Sequence, residues 1–438
     1  MAIAAPNTGA SSTTSSSGQN YGVPLATVTT LFFMWGFLTC LNDILVPHLK
    51  SIFDLNYTKV MLIQFAFFGA YFIFSLPSAK IIDFIGYQRS MVLGLLTMGV
   101  GAFLFVPAAS VPSYPLFLGA LIVLAAGITC LQVAANPYVT ILGKPETASS
   151  RLNLTQAFNS LGTFLAPFFG GLFILTATPK SADEIRALAP DAALVYRLHE
   201  AATVKMPYVG LGIALVLLAV AIGSFKLPKI EHAQHKVGEK VGDSIWNHPN
   251  LIFGAIGIFV YVGAEVSIGS FLVNYFGQPE IGGLTEKVAA SFVAFYWGGV
   301  MLGRFIGSAL LQKIKTGSLL GLCAICAASL VAISMLTSGH FAMYSIILVG
   351  FFNSIMFPSI FTLGVAELGP LTGDGSGVLI MAIVGGAILP VTQGWIADHI
   401  GIHHAFFLPV VCYLYILYFA LHGSKPNSER FGRPALSS

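Results

Sequence analysis

The sequence predicts an all-α polytopic membrane protein, twelve transmembrane helices in two six-helix halves. Composition comes first: hydrophobic residues make up 56% of the chain and charged residues only 9%. Ordinary soluble domains carry about 25% charged residues, so this chain has too few to keep a globular surface wet. Second, apolar stretches recur from end to end, each of about the 20 residues a bilayer crossing needs. They are continuously apolar and do not alternate, which argues against a membrane β-barrel. Third, the polar stretch LPKIEHAQHKVGEKVGDSIWNH (227–248) divides them into two sets of six.

The runs place spans near 24–47, 60–82, 90–108, 115–140, 153–176, 205–226, 250–276, 289–311, 318–337, 342–366, 377–398 and 402–422. An even number puts both termini on one side. Arg89, Lys144, Arg151, Lys226, Lys313, Lys315 and Lys425 fall on that side, and an excess of basic residues marks the cytoplasmic face. Both termini are therefore expected in the cytoplasm. The first residues, 1–22, are rich in Ser, Thr and Gly without the basic start of a signal peptide, and read as a disordered cytoplasmic tail. A first bundle over 23–226, a central cytoplasmic loop over 227–248, a second bundle over 249–424 and a tail over 425–438 complete the division.

Several function classes drop out. A net charge of +3 gives no reason to expect a nucleic-acid partner. All five cysteines fall in apolar segments, and CAIC (323–326) reads as buried thiols, not as a redox or metal pair. The spans hold no His/Asp/Glu metal cluster and no Ser-His arrangement, so neither an enzyme nor a cofactor is called for.

The halves echo each other. NPYVTILG (136–143) ends the fourth span and FPSIFTLG (357–364) the tenth, while LGTFLAP (161–167) parallels GGAILP (385–390). A parallel repeat places a substrate site between the halves near the bilayer midplane, reached alternately from either side. That is the architecture of carriers. After the second span, PSAKIIDFIGYQRS (77–90) resembles the loop signature of the major facilitator superfamily, with Asp83, Gly86 and Arg89 in its acid, turn and base positions. The usual second basic residue is missing. In the second half GRFIGSALLQKIKTG (303–317) keeps Gly303, Arg304 and Gly307. Asp83, Gly86, Arg89 and Arg304 are thus the expected cytoplasmic gate.

Polar side chains inside the spans are few. Asp43, beside Asn42, ends a run whose preceding twenty residues hold no Lys, Arg, Asp or Glu. A carboxylate at membrane depth costs roughly 2.5–3.5 kcal/mol on insertion scales, so it faces a cavity or a partner, unless it reaches the outer interface before Pro47. Glu265 is the second intramembrane acid, among small residues of the seventh span, where sugar or cation binding competes with a structural hydrogen bond. Gln132 and Asn136 lie one helical turn apart on the fourth span; Asn153, Gln156 and Asn159 form a stripe on the fifth. Gln64 and Asn353 add to this set, and Trp35 and Tyr261 are aromatic candidates for stacking on a sugar ring. Amides both donate and accept, matching the hydroxyls of a neutral polyol. No basic cluster for an anionic substrate lies in the spans.

LFFMWGFLTCLNDILVPHLK (31–50), CLQVAANPYV (130–139) and RLNLTQAFNSLG (151–162) resemble the corresponding segments of the fucose:proton symporter family. Within it the chain looks most like the bacterial glucose/galactose transporters, and more distantly like L-fucose permease. The resemblance runs from about residue 24 to 420. It implies the twelve-helix major facilitator fold, function as a monomer in the bacterial inner membrane, and import of a glucose- or galactose-type hexose, N-acetylglucosamine or fucose with a cation. Asp43 matches the family's buried first-span Asp, taken to link protonation to transport. The fourth-span Glu of L-fucose permease is replaced here by Gln132, and Glu265 falls where that permease has Gln. Asp43 can carry a proton, or Asp43 with the amide oxygens of Asn42 and Gln132 can hold Na⁺, a hard cation that takes oxygen ligands; Glu265 joins this coupling set. Competing readings are an efflux antiporter of the superfamily, since APFFGG (166–171) partly matches the antiporter signature, and an uncoupled sugar facilitator.

Overall fold

The computed structural model describes residues 21–53, 57–111, 113–173, 184–185, 187–228 and 243–426. The expected tail before residue 21, most of the central loop and the end of the C-terminal tail lie outside the described residues. Span 1 is Gly22–Phe53. Spans 2 and 3 are the two legs of one long helix, Tyr57–Ser110, broken at Gly86 (φ 80°, ψ 167°). That left-handed conformation is open to glycine and costly for other residues. Span 4 is Tyr114–Ile141, span 5 Ala148–Phe173 and span 6 Pro190–Ser224.

Span 7 covers Pro249–Gly277, span 8 Glu286–Leu310 and span 9 Thr316–Leu336. Span 10 is broken into Gly339–Asn353 and Met356–Gly364, and span 11 into Thr372–Met381 and Gly385–Ile400. Span 12 runs from Ile402 through Phe407–Tyr418 to a wide final turn ending at Gly423. Twelve crossings are thus accounted for among the described residues. Span 6 starts earlier than its apolar run suggests, inside what reads as an outer loop. Proline at its first position and Asp191 in its first turn begin the helix there.

Within the first half, span 1 packs on span 5, and the long helix of spans 2 and 3 packs on spans 4 and 6. The second half repeats this, with span 7 against span 11 and spans 8 and 9 against span 10. Several packings join the halves: spans 2 and 4 lie along span 11, and span 5 along spans 8 and 10. The repeat is visible atom by atom. A Cβ on Gly162 of span 5 would stand 2.2 Å from the Phe33 carbonyl of span 1; a Cβ on Gly385 of span 11 would stand 2.0 Å from the Phe259 carbonyl of span 7. Each half brings two backbones together at the same place through a missing side chain.

Candidate functional site

Proline frees two backbone carbonyls within the spans. Pro137 has no N–H to give the Val133 carbonyl four residues back, and Ser376 of span 11 donates to that carbonyl at 2.9 Å. Pro358 likewise leaves the Ser354 carbonyl free, and Arg304 Nε of span 8 donates to it at 3.3 Å. Span 10 breaks at this point, just after Asn353. Discontinuous helices that expose carbonyls are where carriers build their sites.

Around that break lies a polar cluster. The Tyr261 hydroxyl of span 7 points at Glu265 Oε1 (2.7 Å) and at the Asn353 carbonyl (3.1 Å), one proton between two acceptors. Asn353 Nδ2 donates to the Tyr296 hydroxyl of span 8 at 2.8 Å. Asn353 is buried and its Oδ1 has no hydrogen-bond partner among the described residues. The positive charge of Arg304 acts on Glu265. Glu265 itself is only half-buried. A carboxylate at this depth with open surface fits a water-filled cavity, because facing lipid would cost several kcal/mol (roughly 2.5–3.5).

The first half has a counterpart. Gln132 Nε2 of span 4 donates to the Tyr71 hydroxyl of span 2 at 2.8 Å. When NPYVTILG is laid on FPSIFTLG, Gln132 falls on Asn353, so each half ties its fourth helix to its second by an amide-to-tyrosine bond. Asn136, a turn below Gln132, is fully buried with both side-chain polar atoms unpartnered. Trp35 is buried and packs edge-on against Phe32 (5.4 Å).

Two amides of the span 5 stripe bond to neighbouring helices. Asn153 Nδ2 donates to the Arg304 carbonyl at 2.7 Å, across the two halves. Gln156 offers its backbone carbonyl to Arg304 Nη1 (3.3 Å), and Asn159 Nδ2 donates to the Phe32 carbonyl of span 1 (2.9 Å). The stripe therefore fastens helices together at the edge of the site.

A model of the Major Facilitator Superfamily matches residues 27–383. The chain belongs to that superfamily. The glucose/galactose transporter of Brucella abortus is 53% identical over 425 residues, 97% of this chain and all of that protein. A putative glucose/galactose transporter of Helicobacter pylori is 47% identical over 410 residues, 92% of this chain and 98% of that one. The fucose:proton symporter of Escherichia coli superimposes with a TM-score of 0.87 at 32% identity, over 93% of this chain and all of that one. The same TM-score holds, at 33% identity, for a crystal structure of this transporter in the outward conformation.

In this superfamily member the bonds that join the halves cluster at the end that carries both chain termini. Lys80 Nζ donates to Asp374 Oδ1 at 2.7 Å, from span 2 to span 11. Ser149 Oγ meets Thr362 Oγ1 at 2.6 Å and accepts from Thr316 Oγ1 at 2.9 Å; Ser150 Oγ donates to the Ser308 carbonyl at 2.7 Å. Of the expected gate residues, Gly86 makes the break in the helix and Asp83 lies beside Gly373 at the start of span 11. Arg304 spans the halves, and Arg89 is exposed.

Gln64 is exposed on span 2. Asn42 and Asp43 lie on span 1, but their side chains are outside the described residues. Lys80, Asp374 and the serines of the seam were not singled out in the sequence. Lys80 reads there as one more basic residue near a loop, and serine is too common for its role to show without a partner. His403 is tied in by the Met335 carbonyl and lies 3.2 Å from the Tyr275 hydroxyl.

Proposed function

We propose that this protein is a secondary active transporter that imports a neutral hexose of the glucose/galactose type by symport with a cation, through alternating access between its two halves. The observation that carries the reading is the midplane cluster of Tyr261, Glu265, Asn353, Tyr296 and Arg304 beside the broken span 10. Hydroxyls and amides there suit a polyol, and one cavity-facing carboxylate suits a proton or Na⁺. The names of relatives covering nearly the whole chain support the substrate class, and that of the fucose-proton symporter supports proton as the first cation to test. Sugar contacts are assigned to Gln132, Asn136, Glu265 and Asn353, with Gln64, Asn153, Gln156, Asn159, Trp35 and Tyr261 at the rim. Coupling is assigned to Asp43 with Glu265. Basic residues on the terminal side support a bacterial inner-membrane protein with both termini in the cytoplasm. The two six-helix bundles move as the rocking units, the gate lying among Asp83, Gly86, Arg89 and Arg304. With the halves fastened at the terminal end, the cavity opens outward.

The test is uptake of labelled glucose and galactose into proteoliposomes, with proton and sodium gradients imposed separately. One charge crossing 100 mV releases about 2.3 kcal/mol, enough to hold a roughly fifty-fold sugar gradient. Accumulation of that order under one gradient names the cation. Asp43→Asn and Glu265→Gln are each expected to reduce it towards about one-fold. Uptake indifferent to both gradients makes the protein a facilitator, and drug efflux without sugar uptake returns the antiporter reading.

A further inference from the structure

Arg304 is engaged on two fronts, and the two lie in different halves. Within its own half, Nε holds the Ser354 carbonyl that Pro358 leaves free. Across the seam, Nη1 donates to the Gln156 carbonyl at 3.3 Å and to the Ser160 hydroxyl, both on span 5. Meanwhile its charge acts on Glu265. Glu265 is in turn tethered through Tyr261 to the Asn353 carbonyl, the peptide next to Ser354. The carboxylate, the two-residue break in span 10 and the guanidinium thus form one contiguous chain that ends on the opposite half.

We propose, on the transport reading above, that Arg304 is a positioning residue that reports seam opening to Glu265. While the terminal end is closed, the guanidinium is shared with span 5, and Glu265 is free to hold a proton beside the sugar. When the halves rock and span 5 withdraws, the Gln156 and Ser160 acceptors leave with it. A guanidinium stripped of two acceptors at membrane depth turns to the nearest carboxylate. The O–H bond of Glu265 then breaks, its proton passes to water entering from the opening end, and the ion pair that remains is charge-neutral. No oxidant or further reactant is involved.

The surroundings of Glu265 favour this assignment. Among the described residues, the titratable side chains that act on it from its own and neighbouring helices are Tyr261, Tyr296, Tyr413 and Arg304. Three are phenols, neutral at physiological pH. Arg304 therefore supplies the charge that differs between a closed and an open seam.

The experiment is D-glucose binding to the purified full chain, measured by calorimetry across a pH series. Wild-type affinity is expected to fall with rising pH through one midpoint. Arg304→Gln removes the competing charge, so the midpoint should move up by about one pH unit or more. Ser160→Ala takes away an acceptor on span 5 and leaves Arg304 freer to pair with Glu265, so the midpoint should move down. In a Glu265→Gln background the profile should lose this midpoint, and adding Arg304→Gln or Ser160→Ala should change nothing further.

A midpoint unmoved by both Arg304→Gln and Ser160→Ala, or shifts that persist in Glu265→Gln, overturns the proposal and leaves Arg304 a structural clamp. Ser160→Ala removes one hydroxyl and keeps the test open if Arg304→Gln does not fold. Failure of the transport reading looks different: the wild type then neither binds nor accumulates glucose or galactose at any pH.

Discussion

In the first half the Gln132 amide donates to the Tyr71 hydroxyl at 2.8 Å, and in the second Asn353 donates to Tyr296 at the same distance. Gly162 meets the Phe33 carbonyl as Gly385 meets that of Phe259. The packing devices have been kept in both halves while the chemistry beside them has parted. With Phe33 set against Phe259 and Tyr71 against Tyr296, Glu265 and Arg304 face Thr39 and Ala79 in the first half. Conversely, Asn153, Gln156 and Asn159 of span 5 face Ser376, Leu379 and Ala382 of span 11. Among the described site residues the charged groups Glu265 and Arg304 both lie in the second half, while amides stand in both, Gln132 and Asn136 in the first and Asn353 in the second. Such a division suits a carrier that must hold an uncharged solute and a cation together between two moving bodies.

The sharpest way to break the parallel is to add one methyl group to each half. Gly162→Ala and Gly385→Ala would each drive a Cβ to about 2 Å from a carbonyl oxygen. Real contacts of this kind do not exist, so span 1 must part from span 5, and span 7 from span 11. Overpacking costs typically 1–3 kcal/mol and occasionally more, and these two should lie at the upper end. Both variants are expected to lose most folded protein in a size-exclusion and thermal-melt assay. Gly119→Ala, where a Cβ meets nothing within 4 Å, should melt as wild type or slightly higher. If only one of the two glycine variants falls, the packing is not truly repeated.

A smaller effect tests the amide-to-tyrosine bonds. Gln132→Ala and Asn353→Ala each remove an amide that donates to a tyrosine hydroxyl buried in its half. Losing such a bond costs about 0.5–1.5 kcal/mol, and thermal unfolding should show comparable losses for the two. Transport should separate them. The Tyr296 hydroxyl that the Asn353 side chain holds lies in the field of Glu265, so cation-driven accumulation is expected to suffer more in Asn353→Ala. Equal transport defects would mean that the charged half has no special part in coupling.

Much of this was legible in the chain itself. Helix count, halves and repeat follow from apolar run length and from two echoed motifs, because lipid forces every span to declare itself by composition. Glu265, Asn353 and Gln132 stood out because polar atoms are rare at that depth. What stayed hidden was pairing. Asn153, Gln156 and Asn159 share a face, but only the packed helices show that Asn153 and the Gln156 backbone carbonyl meet Arg304 and that Asn159 meets span 1. The break after Asn353 goes with Pro358, which leaves the Ser354 carbonyl free, but neither stretch of sequence announces that Arg304 of span 8 takes that carbonyl up. Lys80 and Asp374 lie 294 residues apart in the chain, so their bond could not be read from either stretch.

That bond offers a gentler probe of how the halves hold together. Lys80 keeps 58% of its side chain exposed while Asp374 keeps 16%, so water screens the pair, and exposed ion pairs of this kind contribute about 0–1 kcal/mol. Lys80→Asp should loosen the terminal end through repulsion from Asp374 and Asp83. Labelling of a cysteine placed at Thr362 should then quicken several-fold, since 1.4 kcal/mol corresponds to about tenfold. Adding Asp374→Lys should restore slow labelling. Labelling that stays fast in the double variant would mean that span 2 and span 11 are held by the apolar contact of Ala79 with Gly377 and not by charge.

The smallest effect concerns the entry to the second half. Asp243 accepts from the Ser244 amide (2.7 Å) and from Asn247 Nδ2 (2.8 Å), and its other oxygen lies 2.8 Å from His248 Nε2, the residue that precedes span 7. The Asn247 amide first, then the Ser244 N–H and His248, hold the Asp243 carboxyl below the ordinary carboxylate range, against a partial opposing effect of burial. A carboxyl lowered on folding stabilises the folded state above its unfolded pKa, about pH 4, and that contribution fades as pH falls through the lowered value. Asp243→Asn should therefore lower the melting temperature slightly near neutral pH, and the gap to wild type should narrow below about pH 4. Because the group sits near water, the neutral-pH effect should stay under about 1 kcal/mol. A gap that persists unchanged into acid would mean that Asp243 acts at the start of span 7 through shape or hydrogen bonds that do not depend on its charge.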